Sequence, residues 1–267
     1  MGVVQRNRVK VLGDPDGPVV MLAHGFGCDQ SMWRLVIPRL TPRYRLVLFD
    51  YVGAGGSDLS AWSEERYSSL EGYARDVVEI CEELDLRNVA FVGHSVSSMI
   101  GVLAARAAPD RIGALVMVTP SPCYIDQGDY HGGFTKEDID ELLASLDANY
   151  LGWSSVMAPV IMGNPERPEL GDELTDSFCS TDPTMARVFA QTTFLSDNRD
   201  DLDQVDVPTL VVDCAHDAIA PPAVGAFVHD HIAGSRRVTL DANGHCPHLS
   251  HPDATADAVL DFLDRIR

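Results

Sequence analysis

The sequence predicts an α/β fold, with a mostly parallel central sheet flanked by helices and a helical insertion late in the chain. Three observations carry that expectation. Short β-branched runs alternate with longer amphipathic segments, the rhythm of a parallel sheet covered on both faces. That rhythm stops between about Ser121 and Leu202, where helical segments are separated by Gly, Pro and Asn and no strand pattern occurs. The chain has 267 residues, and α/β enzymes of roughly 250 residues often form one domain, so one core with an insertion is expected.

Taken in order, residues 19–23, 45–49, 89–92, 114–118, 209–213 and 236–240 read as strands. Residues 30–40, 70–84, 96–107, 222–232 and 253–266 read as the helices between and after them. The interruption contains four helical segments, 136–150, 153–162, 169–178 and 184–195, with Pro168 and Pro183 placed where helices start. Residues 1–120 and 203–267 are thus expected to form the core, and 121–202 an inserted lid.

Composition narrows the function. Forty Asp and Glu against 20 Lys and Arg give a formal net charge of −20, spread over many segments, with no basic run that could track phosphates. Nucleic acid and anionic membrane surfaces are therefore poor partners, and the acidity reads as a solvated surface. Six cysteines (Cys28, Cys81, Cys123, Cys179, Cys214, Cys246) lack C-x-x-C spacing and fit reduced thiols in the cytoplasm. Residues 1–11 have no apolar core of a signal peptide, and no run of 18 apolar residues suggests a membrane span.

The chemistry concentrates in three turns. In Phe91-Val92-Gly93-His94-Ser95-Val96-Ser97-Ser98 an apolar strand runs directly into a helix. A serine on so sharp a turn projects its hydroxyl from the sheet edge, with the helix N-terminus behind it. Ser97 stands where G-x-S-x-G has its second glycine, which weakens the motif by itself; the strand-to-helix setting restores it, and Gly101 keeps a close contact one turn later. After the first strand, His24-Gly25-Phe26-Gly27 offers a turn whose amides can face the site, so the Phe26 and Val96 N–H groups are the candidate oxyanion donors. Asp217 follows the fifth strand and His245 the sixth, giving the chain order Ser95, Asp217, His245 expected for this kind of fold.

Each partner has a plainer explanation, since a loop aspartate is usually a cap and a lone histidine usually surface or core. Their joint placement at the sheet's C-terminal edge favours a nucleophile, base and orienting acid. Asp213 is the rival acid, disfavoured because it lies at a strand end before the loop turns toward the site. His245, His248 and His251 lack metal-ligand spacing and are interrupted by Pro247 and Pro252, so no metal is expected. Gly53-Ala54-Gly55-Gly56 lacks the lysine of a phosphate loop, and no cofactor is expected.

With these residues in hand, the chain resembles the RsbQ branch of the α/β-hydrolase superfamily, which also holds the plant karrikin and strigolactone receptors. The likeness runs through His24-Gly25-Phe26-Gly27-Cys28-Asp29-Gln30-Ser31-Met32-Trp33, Phe49-Asp50-Tyr51-Val52-Gly53-Ala54-Gly55 and Gly93-His94-Ser95-Val96-Ser97-Ser98-Met99-Ile100-Gly101. Ser121-Pro122-Cys123-Tyr124, Gly132-Gly133-Phe134, Phe178-Cys179-Ser180-Thr181-Asp182-Pro183 and Gly244-His245-Cys246-Pro247-His248-Leu249-Ser250 continue it. Ser97 in place of glycine is a habit of that branch. The resemblance implies a four-helix V-shaped lid, with Phe134, Trp153, Phe189 and Phe194 lining a pocket beside Phe26 and Val96. It further implies a serine hydrolase acting on a small apolar ester, lactone or enol-ether ligand, and a positive regulator of stress signalling with a PAS-domain phosphatase partner. A metabolic esterase or lactonase without a partner, and a receptor with little turnover, are the competing readings.

Overall fold

The apolar runs do pair into one sheet. A computed structural model describes residues 2–266; Met1 and Arg267, the outermost residues of the expected core ranges, lie outside the described residues. The strands are β1 (Lys10–Gly13), β2 (Val19–Ala23), β3 (Arg45–Leu48), β4 (Val89–His94), β5 (Ile112–Val118), β6 (Thr209–His216) and β7 (Arg236–Asn243). They lie in the order β1-β3-β2-β4-β5-β6-β7, with only β1 antiparallel to its neighbour. The chain moves from β2 outward to β3 and then back across to β4, so the order reverses between β2 and β4. A crevice for ligands opens at such a point, beyond the strand C-termini.

Side chains of successive strand residues point to opposite faces, and both faces are covered. Met21 and Ala23 enter one core cluster and Val20 and Leu22 the other. Helices α1 (Leu70–Glu83), α2 (Val96–Ala107) and α7 (Pro222–His231) cover the first face, and α8 (Pro252–Arg265) the second.

Between β5 and β6 come α3 (Lys136–Ala148), α4 (Tyr150–Met162), α5 (Pro168–Cys179) and α6 (Pro183–Phe194). Their starts are written locally. Thr135 and Asp138 form a reciprocal capping box, Asp182 accepts from the Thr184 and Met185 amides, and Pro168 and Pro183 occupy first-turn positions where a missing N–H costs nothing. Helix α4 packs along α5 and ends at Gly163 in the left-handed region. Among the described residues no helix is long and apolar enough to cross a membrane.

Three expectations are corrected. Residues 30–40 are not one helix but a 3-10 turn, Gln30–Trp33, capped by Asp29, and a short helix, Ile37–Leu40. Pro38 is the reason: inside a continuous helix it would remove a hydrogen bond and clash with the preceding turn. Strand β1 is an additional edge strand, exposed along its whole length and therefore without an apolar signature. Strands β6 and β7 run three residues further than expected, to His216 and Asn243.

Candidate active site

The turn between β4 and α2 is a single residue. Ser95 has φ 57 and ψ −124, a conformation that costs a non-glycine residue energy and is held here by its surroundings. Its N–H donates to the Val118 carbonyl at 2.8 Å. A Cβ at residue 93 would lie 2.5 Å from the Ser97 carbonyl oxygen, so only glycine lets strand and helix approach this closely. Gly101 likewise sits where a Cβ would meet the Phe91 ring at 2.6 Å. The buried Ser97 hydroxyl donates to the His24 carbonyl and lies 3.0 Å from the Tyr51 hydroxyl. The serine that departs from the motif thus ties the nucleophile turn to the loop after β2.

The sequence-predicted triad residues meet in one line. His245 Nε2 lies 2.7 Å from Ser95 Oγ, and Nδ1 lies 2.7 Å from Asp217 Oδ2. The other Asp217 oxygen accepts from the Ile219 and Ala220 amides at 2.8 and 3.1 Å. A carboxylate so occupied keeps a fixed orientation, leaving Nδ1 the protonated ring position and Nε2 the acceptor facing the serine. All three residues are buried.

The backbone of His245 is fixed as tightly as its ring. Its N–H donates to the Ile161 carbonyl in the last turn of α4 at 2.9 Å, and its carbonyl accepts from His94 Nε2 at 2.8 Å. Asn164 Nδ2 spans the Met162 and Asn243 carbonyls, 2.6 and 2.9 Å away. Gly244, at φ +82, has its α-carbon against Gly163, and a Cβ there would fall 1.7 Å from the Met162 carbonyl oxygen. Burial, then His248 and His245 nearby, holds the pKa of His94 well below its ordinary value. Neutral His94 is therefore the form that donates to His245. Burial also lowers His24, whose Nδ1 donates to the Gly25 carbonyl at 2.9 Å while Nε2 accepts from the Tyr51 amide at 3.2 Å.

Asp213 is not at the strand end. It is buried within β6 and accepts from Arg237 Nε of β7 at 2.6 Å, with Gly225 packed so closely that a Cβ would lie 2.2 Å from its carboxylate. His248 is packed between the Trp33 and His94 rings, with centroids 4.8 and 4.3 Å away, and burial lowers its pKa to about 3. Among the described residues no group of three or more His, Cys, Asp or Glu side chains is arranged to hold a metal ion.

Ser95 and His245 face a small, mostly apolar cavity of about 30 Å³, walled by Phe26, Ile161, Leu174, Phe178, Phe194 and Ile219. Of the four expected pocket aromatics, only Phe194 lines it. Trp153 stands behind, edge-on to Phe26 and stacked on Phe178. Phe189 lines a separate small space on the other side of Phe26, stacked on Tyr73 at 4.4 Å. Phe134 is half-buried in the loop before α3, bridged to Ile125 and packed on the core rather than lining the cavity. Phe26 makes edge contacts with Trp153, Phe178, Phe189 and Phe194, so this ring organises the aromatic cluster. Val96 is buried as the first residue of α2, directly after Ser95, and Phe26 lines the same cavity as Ser95.

Several lining residues were not picked out from sequence. Tyr124 and Phe178 stand inside the motifs quoted above, but nothing in those motifs says that they face a cavity. Burial pushes the Tyr124 phenol up to about 12, keeping it a neutral hydrogen-bonding group near Ser95. Cys28 and Cys246 also line the cavity, and burial pushes both thiols up. Thr193 directly precedes Phe194 and lines the cavity beside it.

Comparisons with known proteins agree with this architecture. Residues 19–258 match the alpha/beta hydrolase family. A Petunia hybrida protein named karrikin insensitive 2 receptor CA is 40% identical over 262 residues, 97% of each chain. Strigolactone esterase D14 of Arabidopsis thaliana is 36% identical over 98% of each. The solved structure of a hydrolase from Oleispira antarctica superposes with a TM-score of 0.94 at 44% identity, covering 98% of this chain and 96% of that one. The expected likeness to the plant karrikin and strigolactone receptor hydrolases is borne out. A reversed strand order, a strained serine between β4 and α2, and matches over nearly the whole length lead to one conclusion: the chain belongs to the alpha/beta hydrolase family.

Proposed function

We propose that the protein is a serine hydrolase that cleaves a small, mostly apolar ester, lactone or enol-ether ligand through an acyl-enzyme. The observation that carries this reading is the hydrogen-bonded line Asp217–His245–Ser95, with both contacts at 2.7 Å, opening on an apolar cavity. As Ser95 Oγ attacks the carbonyl carbon, its proton passes to His245 Nε2, and Asp217 stabilises the imidazolium. The Phe26 and Val96 amides hold the developing oxyanion, each such donor contributing about 3 kcal/mol of transition-state stabilisation. The proton on Nε2 then goes to the leaving alkoxide; His245 next takes a proton from water as its oxygen attacks the acyl carbon, and returns it to Ser95 Oγ as the acyl–Oγ bond breaks and the acid departs.

In this reading residues 121–202 act as a lid over the core formed by 1–120 and 203–267. The apolar wall around Ser95 favours ligands of low polarity. A signalling role, as an RsbQ-like regulator in the cytoplasm acting with a PAS-domain phosphatase, draws support from relatives named as receptors and from the motifs shared with that branch. A fluorophosphonate probe is the direct test. We expect one adduct, on Ser95, in the folded protein and none in Ser95→Ala; a folded protein that takes no label contradicts the hydrolase reading.

A further inference from the structure

Thr193 presents an unusual hydroxyl. It lies in the last turns of α6, is buried, and lines the cavity that holds Ser95 and His245. Other helical hydroxyls in the fold find a carbonyl, some four residues back, as Thr175 does to Gly171 at 2.9 Å and Ser154 to Tyr150 at 2.8 Å, and some in another segment, as Ser177 does to Gly27 at 2.8 Å. Thr193 Oγ1 does not, and it finds no partner in the protein. Neighbouring Thr192 donates to the Tyr67 carbonyl, so the missing bond is particular to the cavity-facing residue. A buried hydroxyl left unpaired opposes folding, and such groups are expected to be satisfied by something. The cavity is where that partner can be.

We propose that Thr193 is a second recognition point, hydrogen-bonding an oxygen that the substrate carries away from the carbonyl attacked by Ser95. The proposal rests on the hydrolase reading and narrows its substrate class to oxygen-substituted esters or lactones, in preference to those with a plain hydrocarbon body. The rest of the wall is largely apolar, so one hydroxyl there discriminates by leaving itself unpaired against a hydrocarbon.

The test compares p-nitrophenyl hexanoate with its 4-oxo and 5-oxo analogues. After the uncatalysed rates are subtracted, the unaltered chain is expected to favour one oxo ester about fivefold to tenfold in kcat/KM, the effect of one hydrogen bond. Thr193→Val should lose that preference and Thr193→Ser retain it; Thr193→Ala serves if the valine variant does not fold. No preference in the unaltered chain, or a preference that survives loss of the hydroxyl, overturns the proposal. Dissociation constants for the same esters, read by tryptophan fluorescence in Ser95→Ala and Ser95→Ala/Thr193→Val, give the same comparison without chemistry. If no ester is turned over, the hydrolase reading fails, while the ratio of dissociation constants still decides the role of Thr193. Absence of any binding overturns it as well.

Discussion

A methyl group at residue 244 would collide with the backbone of Met162, and the local φ of +82 already disfavours any side chain. Neither neighbour can give way, because both are main chain. Gly244→Ala is therefore expected to lower stability by at least about 2 kcal/mol, checked by urea unfolding. The two aspartates near β6 separate on the same residue scale. Asp217→Asn should reduce kcat about 10⁴-fold by favouring the wrong imidazole tautomer, with the fold unchanged by circular dichroism. Asp213→Asn should leave turnover in place but cost about 1–3 kcal/mol, since Arg237 loses its buried carboxylate. Ser95, Asp217 and His245 were legible because their motifs specify turns at strand ends. Phe134 was misplaced because a motif does not say which way a side chain points once two layers pack.

The elements were legible to the degree that burial repeats along them. Strands β2 to β5 are continuous apolar runs and were found; β1 is exposed at every position and was not. The 30–40 segment has helical composition, but one proline outweighs it. Thr193 shows the limit, because a threonine one residue before an expected pocket aromatic gives no sign that its hydroxyl lacks a carbonyl to bond. At this scale the end of α4 matters most. Asn164 holds the Met162 and Asn243 carbonyls together, so Asn164→Ala should cost about 1–2 kcal/mol and lower kcat more than it raises KM, measured by thermal unfolding and steady-state kinetics.

Across the whole molecule, three histidines are held neutral by burial: His24, His94 and His248. Their folded pKa values lie below the unfolded value near 6.5, so at acidic pH the unfolded chain binds more protons than the folded one. The stability they contribute is complete above about pH 6.5 and is lost as pH falls toward the folded values, about 3 for His248. Unfolding free energy is expected to fall from pH 7.5 to pH 5.0 by up to about 1.4 kcal/mol per pH unit for each proton taken up, and the melting temperature to fall with it. Equal melting temperatures at the two pH values would contradict the neutral assignment.

One bond joins the last turn of α4 to the main chain of the proposed base, His245. The final turn of α4 and the main chain of residue 245 share a donor and an acceptor, so the roof cannot hinge freely at that corner without loosening the base beneath it. If residues 121–202 open as the proposed lid, ligand entry is geared to the seating of the base, and the hydrogen–deuterium exchange rate of the residue 245 amide is expected to keep time with each opening.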